Sequence, residues 1–143
     1  MTAPLNPFIG TWAYRSLLND PNLATDFNDL EFGRGTLVIA QDAAGSLTGT
    51  IGGPGWQLAL YGGFGFGSAE PTRFRGSGVV NGEEWIYDYF ALAVPVWPNS
   101  SPTLQTPALI GSITRVIPHS GSSPGTVNPA GVVASFYAVR QSV

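Results

Sequence analysis

The sequence has no cysteine, no lysine and one histidine, and only 10% of its 143 residues are charged. Without cysteine, disulfides and thiolate metal sites are excluded. A lone His119 makes no zinc centre, which would need three further ligands. All six basic residues are arginines, set against nine acids. The resulting net charge of −3 leaves no basic stripe to neutralise phosphates, so nucleic acid is not an expected partner. No apolar run reaches about 18 residues, so no membrane span is expected. The opening Met1-Thr2-Ala3-Pro4-Leu5-Asn6-Pro7 lacks the basic and apolar regions of a signal peptide, which predicts a cytoplasmic protein. Asn99-Ser100-Ser101 fits a glycosylation sequon, which means little without secretion. Internal repeats are missing. Helical periodicity is missing too, except between Ser16 and Leu30, where the turn residues Asn19-Asp20-Pro21-Asn22 precede a short helical turn expected around Leu23 to Phe27. A charge content well under the ~25% of an average soluble domain predicts a partly covered surface, most simply through self-association. A surface built from Ser, Thr, Asn and Gln is the alternative.

What is present is β-pattern. Eight short runs, alternating or apolar and bounded by glycine, proline or asparagine, read as strands. They are Phe8–Leu17, Gly35–Gln41, Ser46–Ile51, Trp56–Phe64, Thr72–Val80, Glu83–Pro95, Ala108–Ile117 and Gly131–Arg140. The sharpest signal is Asn81-Gly82 between the fifth and sixth, because both central residues of a type I′ turn need positive φ. A two-residue turn sets Gly78 opposite Trp85, Gly76 opposite Tyr87, Phe74 opposite Tyr89 and Arg75 opposite Asp88. Leu37 and Ile39 share a side with Leu47 and Ile51 only if the second hairpin has an odd-numbered loop. Asp42-Ala43-Ala44 should therefore turn with Gly45 left-handed. In the fourth strand Trp56, Leu58 and Leu60 face one way and Gln57, Ala59 and Tyr61 the other. Val96–Pro107 and Pro118–Ala130 read as longer ordered loops or lids.

Eight antiparallel strands joined in sequence suggest one domain over residues 1–143, an all-β, up-and-down eight-stranded barrel that leaves no exposed edge. A β-sandwich is the rival architecture. The first strand adds a resemblance. Pro7-Phe8-Ile9-Gly10-Thr11-Trp12 carries the Gly-x-Trp of the calycin barrels (lipocalins, fatty-acid-binding proteins, avidins and nitrobindins). Gly45-Ser46-Leu47-Thr48-Gly49-Thr50 is similar to an avidin hairpin. The resemblance implies that Trp12 plugs the closed end of the barrel beneath Arg140 of the last strand. The biotin-contact residues of avidins and the glycine pattern that follows Gly-Thr-Trp in nitrobindins are not present, so neither biotin nor haem is implied. No cofactor is expected.

Candidate site residues follow from which face of Glu83–Pro95 turns inward. Trp85, Tyr87 and Tyr89, lying over Gly76 and Gly78, make the better interior, with Tyr14 and Trp56 as further lining. Ile86, Phe90, Leu92 and Val94 then form an outward apolar stripe, which predicts a homo-oligomer. In that arrangement Arg75 and Asp88 are a cross-strand ion pair on the outer wall, worth ~0.2–1 kcal/mol. The inverse arrangement puts them inside as anion binder and general base. Arg115, a charge between Ile113 and Ile117, is suited to pair with an acid or hold a carboxylate. His119 reads as a solvated loop residue, with a base at the barrel mouth as the alternative. Asp20, Asp26, Asp29 and Glu31 read as a solvated acidic rim rather than a calcium loop. Gly62-Gly63-Phe64-Gly65-Phe66-Gly67 is no phosphate loop, because no helix follows it.

Three functions fit these residues. The first is binding of a small, mainly apolar molecule in an aromatic-lined pocket formed by Tyr14, Trp56, Trp85, Tyr87 and Tyr89. The second is a cyclase or isomerase enclosing such a substrate, as allene-oxide-cyclase barrels do, with Asp88, Arg75 or a tyrosine moving the proton. The third is a structural module filled by its own side chains. An open cavity separates the first two from the third.

Overall fold

In the computed structural model, residues 6–65, 70–94, 99 and 107–141 are described. Residues 1–5, Pro95, most of the Val96–Pro107 connection, Ser100 and Ser101 of the sequon, and Phe66 and Gly67 of the glycine run lie outside them. The strands are β1 (Gly10–Leu18), β2 (Glu31–Gln41), β3 (Leu47–Gly53), β4 (Trp56–Gly63), β5 (Thr72–Val80), β6 (Glu83–Val94), β7 (Ala108–Arg115), β8 (His119–Ser120), β9 (Val127–Asn128) and β10 (Val133–Arg140). Eight of them close an antiparallel up-and-down barrel in the order β1-β10-β7-β6-β5-β4-β3-β2, and β8 and β9 form a separate two-stranded flap. Among the described residues no helix is long and apolar enough to cross a membrane.

The hairpin registers follow from turn chemistry. Asn81 and Gly82 have φ of 50° and 81°, and β5 pairs with β6 so that Gly76 meets Tyr87 and Arg75 meets Asp88. Gly45 has φ 85° and its amide donates to the Asp42 carbonyl, so Leu37, Ile39, Leu47 and Ile51 all point into the core.

Three local differences from the sequence reading have clear causes. The helical turn forms at Phe27–Leu30, later than Leu23–Phe27, because Asp26 caps it by accepting from the Asn28 amide. The earlier segment is held in turns instead, with the Asp20 carboxylate taking the Asn22 amide and the Thr25 hydroxyl. β2 begins at Glu31 rather than Gly35, through Phe32-Gly33-Arg34, where two glycines hide the strand pattern. Finally, the seventh strand stops at Arg115 rather than Ile117, since the Val116 amide turns to the Ile86 carbonyl.

Chain direction separates the two ends of the barrel. The 41–47 and 63–72 connections and the partner pair Trp12 and Arg140 lie at one end. The 18–31, 53–56, 80–83 and 115–133 connections lie at the other. The first end is plugged. Trp12 is 1% exposed and its indole N–H donates to the Phe8 carbonyl at 3.0 Å. The Arg140 guanidinium lies 4.4 Å over its ring and donates to the carbonyls of Ile9 and Pro7. Gly10 has φ 151°, and a Cβ there would overlap the same guanidinium, so glycine is required in this Gly-x-Trp. Above the plug, Leu37, Ile39, Leu47, Leu58 and Leu109 are each no more than 1% exposed.

Replacing Trp12 by Ala removes this plug, and chemical denaturation is expected to show a loss of about 3–5 kcal/mol. Unchanged stability would contradict the placement.

Candidate functional site

At the open end the packing changes. β6 carries Trp85, Tyr87 and Tyr89 inward over β5, where Gly76 and Gly78 leave room for them. A Cβ on Gly76 would already lie 3.2 Å from the Tyr89 ring and 3.3 Å from Leu58. Small wall residues therefore admit large rings. On the opposite side β1 offers Ser16, and β2 offers Gly33 and Phe32. Phe32 arrives through a β-bulge: Ser16 pairs with Gly33 and Leu17 with Glu31, so Phe32 is the extra residue and its ring turns inward. The result is a cavity of about 200 Å³, partly open at the mouth. Its floor is Tyr14, Tyr89 and Ile113, and its aromatic walls include Trp56 and Trp85, with ring centroids 6.5 Å apart.

Polar groups converge on one side of this cavity. Arg115, 8% exposed at the end of β7, donates from Nε to the Tyr87 hydroxyl at 3.0 Å and from Nη1 to the Pro129 carbonyl at 3.2 Å. Its guanidinium also lies 4.9 Å over the Phe32 ring. The Tyr87 hydroxyl in turn is 2.6 Å from His119 Nε2, and His119 Nδ1 is 2.9 Å from the Ser120 carbonyl. A carbonyl can only accept, so Nδ1 carries a proton, and in that tautomer of the imidazole Nε2 accepts and Tyr87 donates. In this tautomer the chain runs from Arg115 to Tyr87 to His119 to Ser120. His119 stacks flat on Trp85, at 4.0 Å and 14°, and the flap that bears it is tied to β6 by the Ser120 amide donating to Glu83.

Tyr14 differs from Tyr87. Its hydroxyl is buried and makes no hydrogen bond of good geometry among the described residues; Ser16 is close enough to act on it electrostatically, but its hydroxyl donates to the Gly33 carbonyl. Burial pushes the Tyr14 phenol well above its ordinary range, with the neighbouring Ser16 drawing it back only in part. Tyr89 is raised well above as well, again by burial first and then by Tyr14 and Tyr87. Neither ionises in neutral solution.

All five expected lining residues, Tyr14, Trp56, Trp85, Tyr87 and Tyr89, border this one cavity. Arg75 and Asp88 do not. They pair at 2.7 Å on the outer wall, each about half exposed, so the inward arrangement that a catalytic role for them required is not the one adopted. His119 corrects the sequence reading of a solvated loop residue: it is 5% exposed and sits inside the mouth. Its two-residue strand is too short to show alternation. Phe32, Ser16 and Gly33 were not foreseen as lining, because the bulge that places them has no sequence pattern of its own. Asp20, Asp26 and Glu31 of the acidic rim serve turns, a cap and ion pairs with Arg34 and Arg15. Among the described residues no group of three or more His, Asp or Glu could hold a metal ion.

Fold and site together define a closed eight-stranded barrel, plugged at one end, with an aromatic cavity and a fixed Arg–Tyr–His chain at the other. Compared with protein-family models, curated proteins and solved structures, the chain matches none.

The two tyrosines separate cleanly in stability. Tyr87→Phe leaves buried Arg115 Nε and His119 Nε2 unpaired and is expected to cost about 1–3 kcal/mol. Tyr14→Phe removes an orphaned hydroxyl and should leave denaturation unchanged or raise the midpoint. Equal losses in both variants would overturn the assigned hydrogen bonds.

Proposed function

We propose that this calycin-like barrel binds one small, mainly apolar molecule in the cavity at its open end. The observation that carries this reading is the cavity itself. Eight-stranded barrels either fill their interior with side chains or hold one small ligand, and here the filled part stops below Tyr14 and Tyr89. A cavity of about 200 Å³ suits a single substituted ring, since an apolar cavity of ~150 Å³ holds benzene. Trp56 and Trp85 offer flat apolar faces to it, and the flap bearing His119 narrows the way in.

Gly33 provides the test. A Cβ there meets only the Ser16 hydroxyl, at 3.5 Å, so Gly33→Leu fills the cavity without disturbing the backbone. One-ring probes such as toluene should shift the fluorescence of the wild type, through Trp56 and Trp85, and leave a folded Gly33→Leu protein unchanged. If no one-ring probe, neutral or charged, binds the wild type, the barrel is a self-filled module.

A second reading, a cyclase or isomerase on the same cavity, is favoured by one observation: the 2.6 Å contact between Tyr87 and His119 beside Arg115. In that reading Tyr87, not Asp88 or Arg75, exchanges a proton with the enclosed substrate, and His119 Nε2 takes up or returns it.

Self-association is proposed on separate grounds. Phe90 is 37% exposed and Val94 similarly so on the outer face of β6. Leu92 pairs with Ile110 and Ile110 with Tyr137 across three neighbouring strands, both of the latter exposed. Sedimentation should show a wild-type oligomer that Phe90→Glu dissociates into folded monomers. A wild type already monomeric would refute association through this face.

A further inference from the structure

Arg115 is buried and, among the described residues, has no countercharge within ion-pair distance. Among the described residues its side chain reaches a phenol, a peptide carbonyl and two aromatic rings, and no carboxylate lies within ion-pair distance. The other arginines differ. Arg75, Arg34 and Arg15 lie beside Asp88 or Glu31, Arg140 caps carbonyls at the plug, and Arg73 is exposed over Phe90. A guanidinium cannot shed its proton to escape burial, as a lysine can. Among the described residues its five N–H donors have two protein acceptors, which leaves donors for an acceptor from outside. A second group at the same cavity has a related deficit: among the described residues the buried Tyr14 hydroxyl makes no hydrogen bond of good geometry. Both deficits are of one kind, donors lacking an acceptor, and one of the donors is positively charged.

We infer that the cavity takes a small monocarboxylate, with its carboxylate accepting hydrogen bonds from Arg115 and the Tyr14 hydroxyl and its apolar body against the aromatic wall that includes Trp56 and Trp85. The inference rests on the proposed binding function and names its ligand class. A carboxylate supplies the missing countercharge and the missing acceptors together, and its plane matches the guanidinium fork. Tyr87 and Pro129 have a supporting part. The Tyr87 hydroxyl accepts from Arg115 Nε and the Pro129 carbonyl from Nη1, which holds the guanidinium, while Nη2 has no acceptor among the described residues. The aromatic walls set the other requirement. A bare ion leaves them wet, whereas a ring or short chain covers them.

The experiment compares benzoate, benzamide, toluene and acetate on the whole chain by calorimetry and tryptophan fluorescence at neutral pH. Benzoate is expected to bind at least about tenfold more tightly than benzamide, its neutral isostere, and than acetate, which lacks the ring. R115M should lose the preference for benzoate over benzamide while binding toluene as the wild type does. Y14F should weaken benzoate severalfold and leave toluene unaffected. Where R115M does not fold, the wild-type ratio and Y14F decide. Benzamide or toluene binding as well as benzoate overturns the carboxylate and leaves the apolar pocket standing. Acetate binding as well as benzoate overturns the apolar body. Failure of every ring compound overturns both the ligand class and the binding function beneath it.

Discussion

Everything at the open end depends on one hydroxyl. Tyr87 Oη accepts from a guanidinium on β7 and donates to an imidazole on the flap, so three separate segments meet at a single atom. That atom can serve both neighbours because each has a fixed role. Arg115 only donates, and His119 is held to the acceptor tautomer by the Ser120 carbonyl. In a low-dielectric setting such a chain strengthens itself, and each missing member leaves a costly orphan. The flap has few other anchors: its two strands contribute two residues each. The Trp85–His119 stack and the Glu83–Ser120 bond add to the hold, but the direction of the imidazole is set through Tyr87.

The opposite end solves a different problem with the same residue types. There an arginine and an indole close the barrel, and the arginine spends its donors on backbone carbonyls. At the open end an arginine over aromatic rings keeps donors unspent. The contrast lies in what surrounds each guanidinium, since both sit at the end of a strand and both lie against π-faces. Burial of a charge without full pairing costs stability.

How much could be read beforehand follows from which features are local. The Asn81-Gly82 turn requires positive φ at both residues, and from that requirement the whole β5–β6 register follows, though not which of its faces turns inward. The Gly45 turn is similar. The outward place of Arg75 and Asp88 followed from asking which face made the better interior. His119 could not be placed in this way, because its position depends on Asn128 across the flap and on Tyr87 more than thirty residues back. Phe32 was hidden for another reason. A bulge interrupts alternation, and alternation is the only signal a strand offers. Arg115 stood out as a charge among isoleucines, yet its want of a partner shows only once its neighbours are in place.

Closing the barrel by β1 against β10 also sets an order of events. Arg140 Nη1 reaches the Ile9 carbonyl, a partner 131 residues away along the chain. Contacts so distant form late, because the loop entropy is lost before the contact returns anything. Each hairpin from β2 to β7 can zip locally, but the first strand has one unpaired edge until the last has been made. Synthesis from the N-terminus lengthens that wait. The indole of Trp12 is therefore without its arginine cover until β10 has been made. Cover for the plug and closure of the wall arrive with the same strand.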